Sequence, residues 1–198
     1  MKLLNLILLL LLLSCKNSSE KLPILSYKID STGNKTFYSI QYNEGFSNHL
    51  NKPFSTKNID NKVFIVNFFF TRCPSICPPM KHQLIDIAKS LKNKNHFVII
   101  SHTIDPENDS IPVLKSYSES TGVPDYKWQF LYANIDKTQA QASQFMTSFK
   151  PKNDEIDFYH SSYVSLVDKK QSIRGFYNIL IGEEVKRLKK DIAYLLSE

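Results

Sequence analysis

From Val63 to Phe70 the chain reads Val-Phe-Ile-Val-Asn-Phe-Phe-Phe, without the polar alternation of a strand that faces water on one side. Such a run predicts a strand buried on both faces, as in a parallel sheet covered by helices. It passes without a gap into Cys73-x-x-x-Cys77, and Pro78 and Pro79 follow directly. Proline is tolerated in the first turn of a helix, where its missing amide has no partner to lose, so a helix is predicted to begin beside Cys77. The unpartnered amides of that helix start favour a thiolate there. Apolar residues at Met80, Leu84, Ile87, Ala88 and Leu91 continue with a helical period and one buried stripe.

The same patterns organise the rest. Phe97 to Ile100 reads as the next buried strand, Ile111 to Ser120 as a helix, Trp128 to Tyr132 as a strand and Thr138 to Phe149 as a helix. Tyr163 to Val167 and Ile173 to Tyr177 read as strands joined at Asp168-Lys169-Lys170-Gln171. A last helix carries Ile181, Val185, Leu188, Ile192 and Leu195 on its apolar face. Upstream, Leu25 to Ile29 and Thr36 to Tyr42 are short strand candidates around the turn Ser31-Thr32-Gly33-Asn34, and His49 to Pro53 reads as a second turn. Strand and helix alternation closing on a hairpin and a helix predicts an α/β chain. With cysteines at a strand-to-helix junction, the expected arrangement is a thioredoxin-like fold with an N-terminal β-hairpin extension.

Composition sharpens this picture at the amino end. The 198 residues are 42% hydrophobic, enough for a core without disulfide staples. Met1 to Cys15 has one early lysine and a leucine run too short for the roughly 20 residues of a membrane span, which is the pattern of a secretory signal. Leu12-Leu13-Ser14-Cys15 resembles a bacterial lipobox, so residues 1–14 are expected to be removed and Cys15 to carry lipid. The polar residues 15–23 then form a tether, and 24–198 the domain. This places the protein in the cell envelope, anchored to a membrane and facing the periplasm or exterior. With Cys15 lipidated, Cys73 and Cys77 are the only cysteines left in an oxidising compartment. The net charge of +6 is spread along the chain, with some concentration at Lys186 to Lys190, and reads as solvated helix surface; a nucleic-acid partner is not expected.

Sites in open α/β sheets form at the carboxyl ends of strands, where Cys73 and Cys77 lie. His102 and Asp105 sit at another such end. His160 precedes a strand and would need a looping segment to reach the same edge. Three readings of the cysteine pair remain open on these residues alone: a structural disulfide, which would close only a short loop and stabilise little, a redox pair, or a metal pair.

The order Phe70-Thr71-Arg72-Cys73-Pro74-Ser75-Ile76-Cys77-Pro78, then Thr103-Ile104-Asp105-Pro106-Glu107-Asn108-Asp109, then His160 ahead of Leu166-Val167-Asp168 resembles the SCO/SenC family. Its members are thioredoxin-like, membrane-tethered copper chaperones that assist assembly of the copper centre of cytochrome c oxidase. The resemblance spans about Ile40 to Leu196. It implies copper ligation by Cys73, Cys77 and His160, a copper-donating protein, and an oxidase subunit that accepts the metal. That donor set suits the metal, because thiolates select Cu(I) and an imidazole lets the same site hold Cu(II). A closed zinc site would want a fourth protein ligand. A thiol-disulfide reductase that keeps exported cysteines reduced is the alternative. Reductases of the related lipoprotein type carry a proline where this chain has Ser162.

Two positions depart from the family pattern. Ser75 stands where many members have an aspartate between the cysteines, and Leu131-Tyr132-Ala133 replaces a common Leu-Thr-Gly. Of the other histidines, His82 is expected to face solvent, His102 is a candidate to support the metal ligands, and His49 and His96 carry no signal. Met80 offers a soft sulfur but sits at a core position of its helix.

Overall fold

The computed structural model describes residues 21–150 and 161–198. Among them a seven-stranded sheet forms in the order β4-β3-β7-β6-β5-β8-β9. At its centre β6 (Phe97–Thr103) runs parallel to both β5 (Val63–Phe69) and β7 (Trp128–Tyr132). All seven residues of β5 and of β6 are buried, which is why their sequences lack alternation. On the far side of β5, β8 (Tyr163–Val167) runs antiparallel and pairs with β9 (Ile173–Asn178). The other flank is closed by β3 (Phe46–Asn48) and β4 (Pro53–Phe54), also antiparallel.

One face of the sheet carries α1 (Cys77–Ser90), α2 (Ile111–Glu119) and α4 (Gly182–Ser197). Met80, Leu84, Ile87 and Ala88 of α1 are buried as its period predicts, and His82 is exposed. Tyr177 of β9 donates to Asp191 of α4 at 2.7 Å, and Arg187 lies 4.1 Å over the Tyr177 ring. The opposite face carries α3 (Ile135–Gln144) with Phe145, against which Tyr42 and Phe68 pack.

Four expectations need correcting. The third helix starts three residues before Thr138, because Asn134 caps it by accepting from the Lys137 amide; it ends at Gln144, and Met146 adopts a left-handed φ of 53°. Ile181 is not on the buried face of α4 but caps its start, 49% exposed. The second buried strand extends to Thr103, which puts His102 inside the strand. Finally His49, in a turn-like stretch, is buried, with its Nε2 2.9 Å from Asp125 and 3.2 Å from Ser118 near the start of β7.

The predicted N-terminal hairpin is present: β1 (Tyr27–Ile29) pairs antiparallel with β2 (Lys35–Phe37). The Asp30 carboxylate closes its turn by accepting from the Thr32 and Asn34 amides, and Gly33 takes the φ of 87° that the turn requires. The base of the hairpin is tied to the β8–β9 turn. Leu25 donates to the Ile173 carbonyl, Ile40 to that of Gln171, and Arg174 reaches the Leu22 carbonyl. Arg174 is buried and also grips Asp168 at 2.7 Å, a pairing whose loss would strand a charge in the interior.

His102 is held across the sheet from the cysteines. Its ring stacks 5.0 Å from Phe68 and 5.5 Å from Tyr42, whose hydroxyl lies 2.9 Å from Nε2. Burial drives its pKa from 6.5 down to about 3. The unfolded chain therefore takes up a proton on this imidazole below pH 6.5 that the folded chain refuses, so stability falls as the pH drops through that window. His102→Phe is expected to flatten the decline between pH 6 and 4 by about 1 kcal/mol per pH unit, read from urea unfolding at each pH.

Candidate metal centre

Both cysteines lie at the carboxyl edge of β5, where the chain leaves the sheet for α1. Both are free thiols, and both are largely buried. The helix begins at Cys77 itself, with prolines in its first turn. The connecting loop puts the Ser75 and Cys77 amides and the Cys77 thiol around the Cys73 sulfur, and the Ser75 hydroxyl 3.8 Å away. Burial pushes the Cys73 thiol up, but these hydrogen bonds together bring it below its ordinary value. Cys77 goes the other way: burial, then its hydrogen bond to Cys73, holds its proton on strongly, although a backbone hydrogen bond from Phe70 opposes them. The thiolate expected beside the helix start thus belongs to Cys73. The free amides of a helix end point back at the residue that precedes the helix, while the first helical residue turns its side chain inward.

A second loop fixes the first. The Asp109 carboxylate, fully buried, accepts from the Thr71 amide at 3.0 Å, from the Thr71 hydroxyl, and from the Thr103 hydroxyl at 2.5 Å. Burial raises its pKa, and those hydroxyls hold it back. Asp105 accepts from Arg72 at 2.7 Å and from Asn108 at 2.8 Å. Two successive residues before Cys73 are therefore held by two carboxylates from the loop after β6. The sequence displayed these acidic residues as a motif without indicating what they grip. The signal was there in Thr71 and Thr103, hydroxyl residues at the ends of two adjacent apolar strands.

Beneath Cys77, between α1 and α2, lies a cavity of about 10 Å³ lined by Met80, Lys81, Tyr117 and Phe130. Met80 is 2% exposed and belongs to the core, as its helical position indicated. The Lys81 ammonium sits 4.1 Å over the Tyr117 ring and donates to Ser120 at 2.6 Å. Burial, followed by the nearby charges of Cys77, Cys73 and Asp109, keeps the Tyr117 hydroxyl protonated. Tyr117 escaped the sequence reading because an aromatic residue on an amphipathic helix looks like core.

His160 and Cys15 lie outside the described residues. The edge that the residues after His160 occupy is nevertheless clear. Because β8 is antiparallel to β5, with Val66 opposite Ser165 and Phe64 opposite Val167, the chain enters β8 at the same edge where β5 delivers the cysteines. His102 lies on the opposite face, with its Nε2 beside the Tyr42 hydroxyl; His96 is exposed. Among the described residues no three His, Cys, Asp or Glu side chains converge as a metal site.

Residues 36–197 match the SCO1/SenC family. The chain belongs to that family. It is 32% identical over 136 residues to the SCO1 protein homolog of Bacillus subtilis, covering 67% of this chain and 70% of the relative. The solved structure of BsSco, described as a disulfide switch in a member of the Sco family of cytochrome c oxidase assembly proteins, superposes with a TM-score of 0.70. The two are 24% identical, over 88% of this chain and 96% of the other. Arabidopsis thaliana ScoI, solved with copper bound, gives 0.65 at 20% identity, over 79% and 98%. The match to these structures shows a shared thioredoxin-like fold.

Two outcomes follow for the site. Iodoacetamide should label Cys73 at least about 10 times faster than Cys77 at pH 7.5, in mass-spectrometric counting of each modified peptide, since only the thiolate attacks. Asp109→Ala, which leaves the Thr71 amide and two hydroxyls without their acceptor, should cost about 2 kcal/mol in urea unfolding.

Proposed function

We propose that this SCO1/SenC protein carries one copper ion on Cys73, Cys77 and His160 and hands it to the copper-accepting subunit of a cytochrome c oxidase during assembly, working from a lipid anchor at Cys15. The observation that carries the reading is the convergence at one sheet edge. Two reduced thiols are held there by buried carboxylates, and the strand that follows His160 starts there. Consecutive Cα atoms are about 3.8 Å apart, so a side chain next to Ser161 is within reach of that edge. Copper-bound relatives of the same fold support the choice of metal, and the description of BsSco supports the destination.

The donor chemistry fits. The Cys73 thiol, held below its ordinary value, gives up its proton more readily than Cys77, and a soft cation binding between the sulfurs would displace the proton that Cys77 holds. Oxidation of both thiols to a disulfide removes both soft donors at once, so the redox state of the pair gates loading. Ser75, in place of the aspartate common in the family, adds a hydroxyl beside Cys73 and no charge.

The asymmetry of the two thiols also favours a second reading, a thiol-disulfide reductase in which Cys73 attacks and Cys77 resolves the mixed disulfide. His160 separates the two, because thiol exchange has no need of an imidazole. Reduced protein is expected to take up one equivalent of Cu(II) with a sulfur-to-copper charge-transfer band in the visible spectrum. His160→Ala should lose that band while its cysteines still open and close in a thiol titration, and Cys73→Ala should lose both properties. An unchanged band in His160→Ala would remove the histidine from the site. Wild-type protein that binds no copper but reduces insulin would establish the reductase instead.

A further inference from the structure

The N-terminal hairpin is the least covered part of the structure. Both of its strands are three residues long, and five of those six residues are exposed, Tyr27 being half-buried. A two-stranded hairpin of this size is marginal in water unless something covers it. Its register puts Tyr27 opposite Phe37 and Ile29 opposite Lys35, so these four side chains share one face. Ile29 is 61% exposed and Phe37 57%; the Tyr27 and Phe37 rings touch edge to face at 5.9 Å, and the Lys35 ammonium lies 4.4 Å over Tyr27. Ile24, just upstream, is 43% exposed. Lys21, Lys28 and Lys35 stand against a single carboxylate in residues 21–38, that of Asp30. Aromatic and aliphatic side chains beside a lysine match the chemistry of a membrane interface, where rings sit at headgroup depth and ammonium groups reach lipid phosphates.

We propose that the β1–β2 hairpin lies on an anionic bilayer surface through its Tyr27, Ile29 and Phe37 face, with Lys35 on the headgroups, and so holds the cysteine edge away from the membrane. The inference rests on anchoring at Cys15. Six residues lie between Cys15 and Leu22, whose carbonyl is gripped by Arg174, and the steps from one to the other span at most about 25 Å when extended. The anchored domain therefore cannot move its hairpin far from the lipid, and little entropy remains to be lost when the two meet. Orientation follows from the sheet. The hairpin is fastened at the β8–β9 turn, which lies at the edge where β5 begins, and the cysteines lie at the edge where β5 ends. The seven residues of β5 separate those edges by about 20 Å. A domain lying on its hairpin presents Cys73 and Cys77 to the aqueous side, where another protein can approach them.

The test uses the full lipidated chain in vesicles of phosphatidylcholine with a minority of phosphatidylglycerol, some carrying bromine on the acyl chains. Phe37→Trp places an indole on the hairpin face, Tyr163→Trp places one at the cysteine edge, and buried Trp128 remains as the internal reference. Brominated lipid is expected to quench the indole of Phe37→Trp by about half, consistent with side chains seated some 5–10 Å below the headgroup boundary, and to leave Tyr163→Trp unchanged. Lys35→Glu in the Phe37→Trp chain should remove most of that quenching. Flotation separates the two levels of failure. Chain that does not float with the vesicles refutes the anchor and the docking together. Chain that floats but shows no quenching, or equal quenching at both positions, refutes the docking alone. A concentration-dependent blue shift of the Phe37→Trp emission in detergent without lipid would assign the face to a second copy of the chain and overturn the proposal.

Discussion

A buried carboxylate sets the geometry of this site. Asp109 takes hydrogen bonds from the ends of two parallel strands, β5 through Thr71 and β6 through Thr103, and so decides where the chain must leave the sheet before it reaches Cys73. Taking a carboxylate out of water costs several kcal/mol unless its lone pairs are filled, and here three donors fill them. The cysteine loop needs that support because it offers little of its own: Cys73 makes one weak backbone contact to Phe70 at 3.3 Å, and the next three residues lie outside any strand or helix. Arg72 and Asp105 repeat the arrangement nearer the surface, with 57% of the arginine side chain exposed, and there the same ion pair is worth much less.

The two cysteines differ because one backbone end serves them unequally. Cys77 is the first residue of α1 and faces the core, whereas Cys73 stands ahead of the helix and collects its amides. One sulfur therefore gives up its proton more easily than the other. This division suits both soft-metal capture and thiol exchange, and it explains why the pair by itself does not choose between them. In the function proposed above, His160 makes the choice.

Much of the fold was legible because its signals are local. The unbroken apolar run of β5, the stripe of α1 and the Ser-Thr-Gly-Asn turn of the hairpin each state their structure within a few residues. The bounds of α3 were missed because the decisive residue, Asn134, acts through a capping bond outside the apolar period. His102 looked like a strand-end residue because Ser, His and Thr are polar, yet pairing with β5 and a stack of rings carries the strand through all three. The site was half legible. The spacing of Cys73 and Cys77 is visible in the chain, but which of them ionises depends on burial, and what Asp109 holds depends on a neighbouring strand. That β8 starts beside the cysteines depends on strand direction, which no local pattern encodes.

The position of β8 has a consequence for how the protein is made. Some 90 residues separate Cys77 from the end of the strand that closes beside it, and chains emerge from the ribosome at about 5–20 residues per second. For roughly 5–20 s the nascent chain holds both thiols and lacks the wall that completes their surroundings. Partial folding cannot shorten that interval, since β5 has no other antiparallel neighbour in the sheet. The flank of β5 that runs toward the cysteines therefore stays unpaired until Tyr163 to Val167 have been made.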